Sequence, residues 1–169
     1  MEGNIVALGA SAGGLAPISE IFKNIKNVEK NYFFIAQHFN PDSTSLLAQI
    51  LKRYAPHEIQ FIGKEKRPLQ KGVFYILSPG HDIKIDDKFV WGEEDLDRSG
   101  PTPSINHYFE RMAEAFGEKV VGVVLSGSGS DGSEGAKKIV EKGGTLFAQS
   151  PDEAKFTGMP DSAITNNPS

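Results

Sequence analysis

Three short stretches hold the residue types of nucleophilic acyl chemistry. "VALGASAGGLAP" places Ser11 in a glycine-rich turn after an apolar run, "AQHFNPDS" carries His38, and "LSGSGSDGSEG" carries Asp131. A serine hydroxyl is a weak nucleophile at neutral pH. It needs an imidazole to take its proton, and a carboxylate to orient that imidazole and stabilise it as it charges. Ser11, His38 and Asp131 complete that set. Residues 9–13 also fit G-x-S-x-G, in which glycines let a sharp elbow project the hydroxyl from a strand end while nearby backbone N–H groups receive an oxyanion. The N-terminus of a following helix adds positive potential there. Each residue also has a plainer role: Ser11 and Asp131 as helix N-caps, and His38 as a strand-end histidine bonded to backbone. Only a fold that gathers them favours the chemical role.

The surrounding pattern predicts such a fold. Short β-rich runs alternate with amphipathic segments: "NIVALGA", then 14–27, "YFFIAQH", then 43–54, and later "VVGVVLSG", then 132–142, and "TLFAQS". That alternation is the signature of βαβ units around a parallel sheet. Leu46, Leu47, Ile50 and Leu51 form one helical stripe, and Ile105, Phe109, Met112 and Phe116 another. Between 59 and 92 the runs "IQFI", "GVFYILS" and "DIKIDDKFVWGE" predict strands with an antiparallel hairpin turning at Asp86-Asp87, an insertion in the alternation. "EEDLDRSGPTPS" reads as an exposed loop, with Ser104 capping the helix after it. The expected architecture is one α/β domain over residues 1–169. It has three layers: a mostly parallel twisted sheet, helices on both faces, and an inserted antiparallel hairpin. In such sheets the βα loops gather at the carboxyl ends of the strands, where ligand sites form. The loops of Ser11, His38 and Asp131 are therefore expected at one edge. His57, His81 and His107 do not follow a parallel-strand candidate and read as surface or packing residues.

Composition narrows the function classes. At 169 residues and 38% hydrophobic, the chain suits a single domain. With no Cys it has no disulfide framework, thiolate nucleophile or Cys-ligated zinc, and cytoplasm is the default compartment. The longest apolar runs, "VVGVVL" and "YFFIA", fall far below the ~20 residues of a membrane span, so no membrane insertion is expected. A net charge of −4 with scattered lysines offers no basic stripe for nucleic acid. The acyl chemistry calls for neither metal nor cofactor.

A rival from another class rests on Gly127, Gly129 and Gly132. They spell G-x-G-x-x-G after a strand and before a helix, with Asp152 about twenty residues on, which is the dinucleotide fingerprint. An NAD(P)-dependent oxidoreductase using this 127–132 loop is thus the alternative. Against it, Asp131 would put a carboxylate where a pyrophosphate should lie, and little chain follows to complete a nucleotide-binding unit. A non-catalytic binding module is a third option, which three reactive residue types at one sheet edge disfavour.

"GASAGG", "AQHFNPD", "GVVLSGSGSDG" and "AKFTGMPDSAI" together resemble, in order and spacing, the successive motifs of the catalytic domain of bacterial chemotaxis protein-glutamate methylesterases, the CheB family. The resemblance runs over nearly the whole chain. It implies Ser11 as nucleophile, His38 as base and Asp131 as the residue orienting it, with oxyanion donors near Ala12 and Ser128. The implied substrate is the γ-methyl ester of glutamate side chains on the cytoplasmic helices of methylated chemoreceptors, with glutamine deamidation as a second activity. Many members have threonine at the position of Ala12 and methionine at that of Ser128, so substrate preference is expected to differ. "GASAGG" and "SGSGSDG" are closer to the branch fused to a receptor methyltransferase, which makes such a domain an expected partner. No phosphorylation-dependent receiver domain is expected before the first strand. The chain stops at "NNPS", short of the usual family C-terminus, which implies a fragment of a longer protein.

Overall fold

The computed structural model describes residues 1–38, 44–94 and 103–167. Most of the loop read over 93–104, the residues directly after His38 and the end of "NNPS" lie outside the described residues.

The first strand shows why the sheet is central. β1 (Ile5–Ala10) is apolar without alternation, as a strand covered on both faces must be. Ile5 and Ala7 enter one core cluster, and Leu8 and Ala10 enter the other. The helix α1 (Leu15–Asn24) leads to a 3-10 turn and then to β2 (Tyr32–Gln37), α2 (Thr44–Lys52) and β3 (Glu58–Ile62). Next come β4 (Arg67–Pro68), β5 (Val73–Leu77), β6 (His81–Ile85) and β7 (Phe89–Glu94). The chain continues through α3 (Ile105–Phe116), β8 (Val120–Val124), α4 (Ser133–Glu141), β9 (Thr145–Ala148) and α5 (Gly158–Asn166). The main sheet has the order β3-β5-β2-β1-β8-β9, every pairing parallel. Ile18 and Phe22 of α1 and Leu47 and Leu51 of α2 cover one face, and residues of α3, α4 and α5 cover the other. The expected three layers are present.

Two expectations need correcting. The insertion is smaller than the pattern suggested: β3 and β5 belong to the main parallel sheet, with β5 between β2 and β3. Only β6 and β7, with two residues of β4, form the separate antiparallel sheet. "IQFI" and "GVFYILS" are too short for periodicity to reveal a partner, so their pairing is a tertiary outcome. The helix read over 14–27 ends at Asn24, because Ile25 turns extended with ψ 140°, and Asn27 then takes a left-handed φ of 57° before the 3-10 turn. The last helix, α5, has only a weak apolar stripe, and its Pro160 is tolerated because it lies in the first turn. The hairpin turn at Asp86-Asp87 forms as expected: Asp86 Oδ1 accepts the N–H groups of Lys88 and Phe89. Those two bonds lower the Asp86 pKa.

Position within the layers matters most for α3. Gly9 has no room for a side chain, because a Cβ there would lie 2.7 Å from Ile105 Cγ2 and 2.8 Å from Phe109 Cζ. The missing Cβ lets the start of α3 press onto the end of β1. On the other face, Phe74 is fully buried, stacked on Phe33 with centroids 4.4 Å apart and edge-on to Phe22 at 4.7 Å. Phe74→Ala is expected to lower stability by about 3–5 kcal/mol, read as a reduced urea midpoint with an unchanged denaturant slope. A loss below about 1 kcal/mol would show that β5 is not held by this cluster.

Candidate active site

The strand order reverses at β1, which has β2 on one side and β8 on the other. Loops leaving adjacent strands at such a point diverge and open a crevice at the carboxyl edge. Register aligns Ala10 with Gln37 and Gly9 with Val124, so Ser11, His38 and the 125–132 loop all emerge at that edge.

His38 is tied to its neighbour strand by its own N–H, which donates to Ala10 O at 3.2 Å. Its Nε2 lies 2.8 Å from Asp131 Oδ2, with side chains 18% and 15% exposed. Asp131 Oδ2 also accepts the Ile105 N–H at 2.9 Å, and Oδ1 accepts the Asn106 N–H at 3.0 Å. Asp131 is thus a helix cap, but of α3 and not of the helix that follows it. The cap position of α4 is Gly132 at φ 96°, with no side-chain cap bond of its own. Asn106 returns the exchange, its Oδ1 accepting the N–H groups of Gly132 at 2.9 Å and Gly135 at 3.0 Å. Ser104 completes the α3 start by accepting the His107 N–H, as the sequence suggests. Burial pushes the Asp131 carboxyl up, but hydrogen bonds from His38, Ile105 and Asn106 outweigh it and hold the pKa below the usual range.

Ser11 is buried and caps no helix: the cap position of α1 is Gly14, without a side-chain bond. Its Oγ has no hydrogen-bond partner among the described residues, His38 included. The Ser11 N–H donates to Ser126 O at 3.0 Å, and Ser11 O accepts from Gly14 N at 3.0 Å and Gln37 Nε2 at 3.2 Å. Ser126 Oγ, fully buried, donates to Ala12 O and accepts the Phe156 N–H, joining the first loop to the 149–157 segment. Ala12 and Ser128 are exposed on facing loops, and among the described residues their N–H groups have no partner. The other histidines lie elsewhere: His57 packs on Phe22 and Phe74, His81 Nδ1 meets Pro79 O, and His107 is exposed on α3.

The signature of the CheB methylesterase family matches residues 6–168. The chain belongs to the CheB methylesterase family. It is similar to a Saccharophagus degradans protein named protein-glutamate methylesterase/protein-glutamine glutaminase 1, 31% identical over 161 residues, which are 92% of this chain and 43% of that one. A Leptospira interrogans relative is 30% identical over 165 residues, 97% of this chain and 85% of its own. The chain thus spans less than half of the first relative and most of the second. The solved catalytic domain of the Thermotoga maritima CheB methylesterase superposes with a TM-score of 0.86 at 26% identity, covering 98% of this chain and 89% of that domain.

Within this CheB fold the 127–132 glycines have uses unrelated to a nucleotide. A Cβ at Gly127 would run into Met159 Sδ and Ser11 Oγ, while Gly129 and Gly132 take φ of 80° and 96°. Asp131, between them, is committed to His38 and the start of α3. Nothing here supports the oxidoreductase alternative. Among the described residues no helix is long and apolar enough to cross a membrane. Sequence reading missed Gln37, Asn106 and Ser126. A polar residue closing the apolar run "YFFIAQ" was a usable signal for Gln37; Ser126 sat unmarked among four neighbouring serines, and Asn106 had no local signal.

The depressed Asp131 pKa has a signed consequence. A folded-state value below the unfolded one, about 3.9, gives stability that is present above that value and lost as pH falls through the folded one. The stability difference between wild type and Asp131→Asn is therefore expected to be largest near neutral pH. It should shrink as pH falls below about 4, followed by urea midpoints across the range. Parallel curves would mean that burial and hydrogen bonding cancel at this carboxylate, and a difference that grows on acidification would mean that burial dominates.

Proposed function

We propose that residues 1–169 form one catalytic domain, a serine hydrolase that cleaves the γ-methyl ester of glutamate side chains in protein substrates. The observation that carries it is the His38–Asp131 pair, 2.8 Å apart at the sheet edge where β1 delivers a buried serine hydroxyl with no partner among the described residues, within a methylesterase family. Because Asp131 occupies His38 Nε2, Nδ1 is the ring nitrogen left for the Ser11 proton. Catalytic hydrogen bonds often close only in the substrate complex, which accords with the free Ser11 Oγ.

Ser11 Oγ attacks the ester carbonyl as its proton passes to His38. The oxyanion meets the N–H groups of Ala12 and Ser128, which have no partner among the described residues. Collapse expels methoxide, which takes the proton from His38 and leaves as methanol. Water, deprotonated by His38, then attacks the acyl-enzyme and releases glutamate with Ser11 restored. Asp131 stays ionised throughout, consistent with its lowered pKa, and stabilises the charged imidazole. With a glutamine side chain the same steps release ammonia. No metal or cofactor enters the cycle.

The exposed rim of Ala12 and Ser128 to Ser130 suits a macromolecular substrate, and we assign it the methylated helices of chemoreceptors in the cytoplasm. A receptor methyltransferase domain, if joined to this one, would make the esters that it removes. Methanol release from methylated receptor should be abolished by Ser11→Ala. Asp131→Asn, which keeps one acceptor for α3, should lower turnover by about 10²–10⁴ at a temperature well below its own reduced thermal midpoint, where the variant is still folded. Undiminished methanol release by Ser11→Ala would overturn the proposal.

A further inference from the structure

One buried polar side chain near the nucleophile serves no evident packing purpose. Side chains along β2 alternate, and Phe33 and Ile35 face the core under α1 and α2. Gln37 is next on that face and is 7% exposed. A leucine would continue the apolar surface. The amide found there donates from Nε2 to Ser11 O at 3.2 Å, while its Oε1 has no hydrogen-bond partner among the described residues. A buried orphan carbonyl is a standing cost to the folded state. Turning the amide over would only set Oε1 against Ser11 O, so the hydrogen bonding fixes its orientation.

The bond acts on one particular peptide. Ser11 C=O and Ala12 N–H are opposite ends of the same planar trans unit, so pinning the carbonyl aims the N–H the other way. The Ala12 N–H has no partner among the described residues. Ser126 holds the flanking peptides, its O accepting the Ser11 N–H at 3.0 Å and its Oγ donating to Ala12 O at 2.9 Å. The middle peptide is held by Gly14 N and by Gln37. Two donors on one carbonyl also polarise the amide and strengthen its N–H as a donor.

We propose that Gln37 is a positioning residue for the oxyanion site, fixing the Ser11–Ala12 peptide so that the Ala12 N–H meets the developing negative charge. The role rests on the acyl-transfer reading above. Gln37 touches neither substrate nor reacting atoms, and no bond or proton changes at it. Its contribution belongs to the transition state, so it falls on kcat and not on substrate binding.

The test compares wild type, Ser11→Ala, Gln37→Leu and Gln37→Glu on a glutamate methyl ester peptide, with Gln37→Met as a second apolar variant should leucine not fold. In Gln37→Leu, kcat is expected to fall about 10- to 100-fold with KM within about threefold. Its urea midpoint should equal or exceed that of wild type, because the orphan carbonyl is gone. Gln37→Glu, nearly the same shape but facing Ser11 O with a carboxylate, should lose at least as much. A boronic acid that forms a tetrahedral adduct on Ser11 should bind more weakly by the factor lost in kcat/KM. A folded Gln37→Leu or Gln37→Met with kcat within about twofold of wild type, while Ser11→Ala is inactive, would overturn the positioning role alone. Losses that track lowered urea midpoints in every variant would make Gln37 a packing residue and also overturn it. Methanol release by Ser11→Ala would instead sink the acyl-transfer reading itself.

Discussion

The carboxylate of Asp131 sits where three positive ends converge: the first two N–H groups of α3 and the imidazole of His38. Much of the site depends on this convergence. A carboxylate this shielded from water would ordinarily be pushed toward its neutral form, and a neutral acid could not stabilise a charged imidazole. The helix terminus supplies the compensation. Its N–H groups lack intrahelical partners in any case and carry the positive end of the helix dipole, so the carboxylate satisfies them while they hold it ionised. One interaction caps a helix, sets the charge state of the acid and fixes the histidine ring.

That arrangement requires α3 to start at the carboxyl edge of the sheet, and several contacts keep it there. Gly9 gives up its side chain so that Ile105 and Phe109 can lie on β1. Asn106 binds the start of α4 while its own N–H binds Asp131, locking two helix starts together. The small antiparallel sheet supports α3 further along. Ile83 and Val90 are buried in the same core cluster as Tyr108 and Met112, and Arg111 reaches Asp82 at 3.5 Å. The inserted hairpin is thus a buttress for the helix whose first turn holds the acid.

The loop of Ser11 follows a different logic, in which hydrogen bonds from distant residues hold the backbone and leave the side chain out. Ser126, Gly14 and Gln37 bond the Ser11 N–H, the Ser11 O and the Ala12 O, while the hydroxyl has no partner among the described residues. Gly127 keeps its side-chain volume clear for that hydroxyl and for Met159. Buried polar atoms without partners are costly, and two of those among the described residues, Ser11 Oγ and Gln37 Oε1, belong to this loop and the strand beside it. The cost is borne by a well-covered sheet whose central strands are apolar on both faces.

The sequence by itself determined the parts list and its order. Alternating runs and stripes are local patterns with periods of two and 3.6 residues, so they announced a parallel sheet with helices on both faces and placed Ser11, His38 and Asp131 on three loops at one edge. Ser104 as a cap and Asp86-Asp87 as a turn were legible for the same reason, since their bonds reach only two or three residues away. What only the tertiary structure decided involves partners far apart in the chain. The place of β5 between β2 and β3 follows from pairing over the whole sheet, which no short window records. The cap role open to Asp131 from its place before α4 goes instead to a helix that starts 26 residues earlier. Gln37 meets Ser11 across 26 residues, and His38 meets Asp131 across 93. A residue's type shows what it can donate or accept, but its partner is chosen by which backbone ends the packed layers bring within about 3 Å.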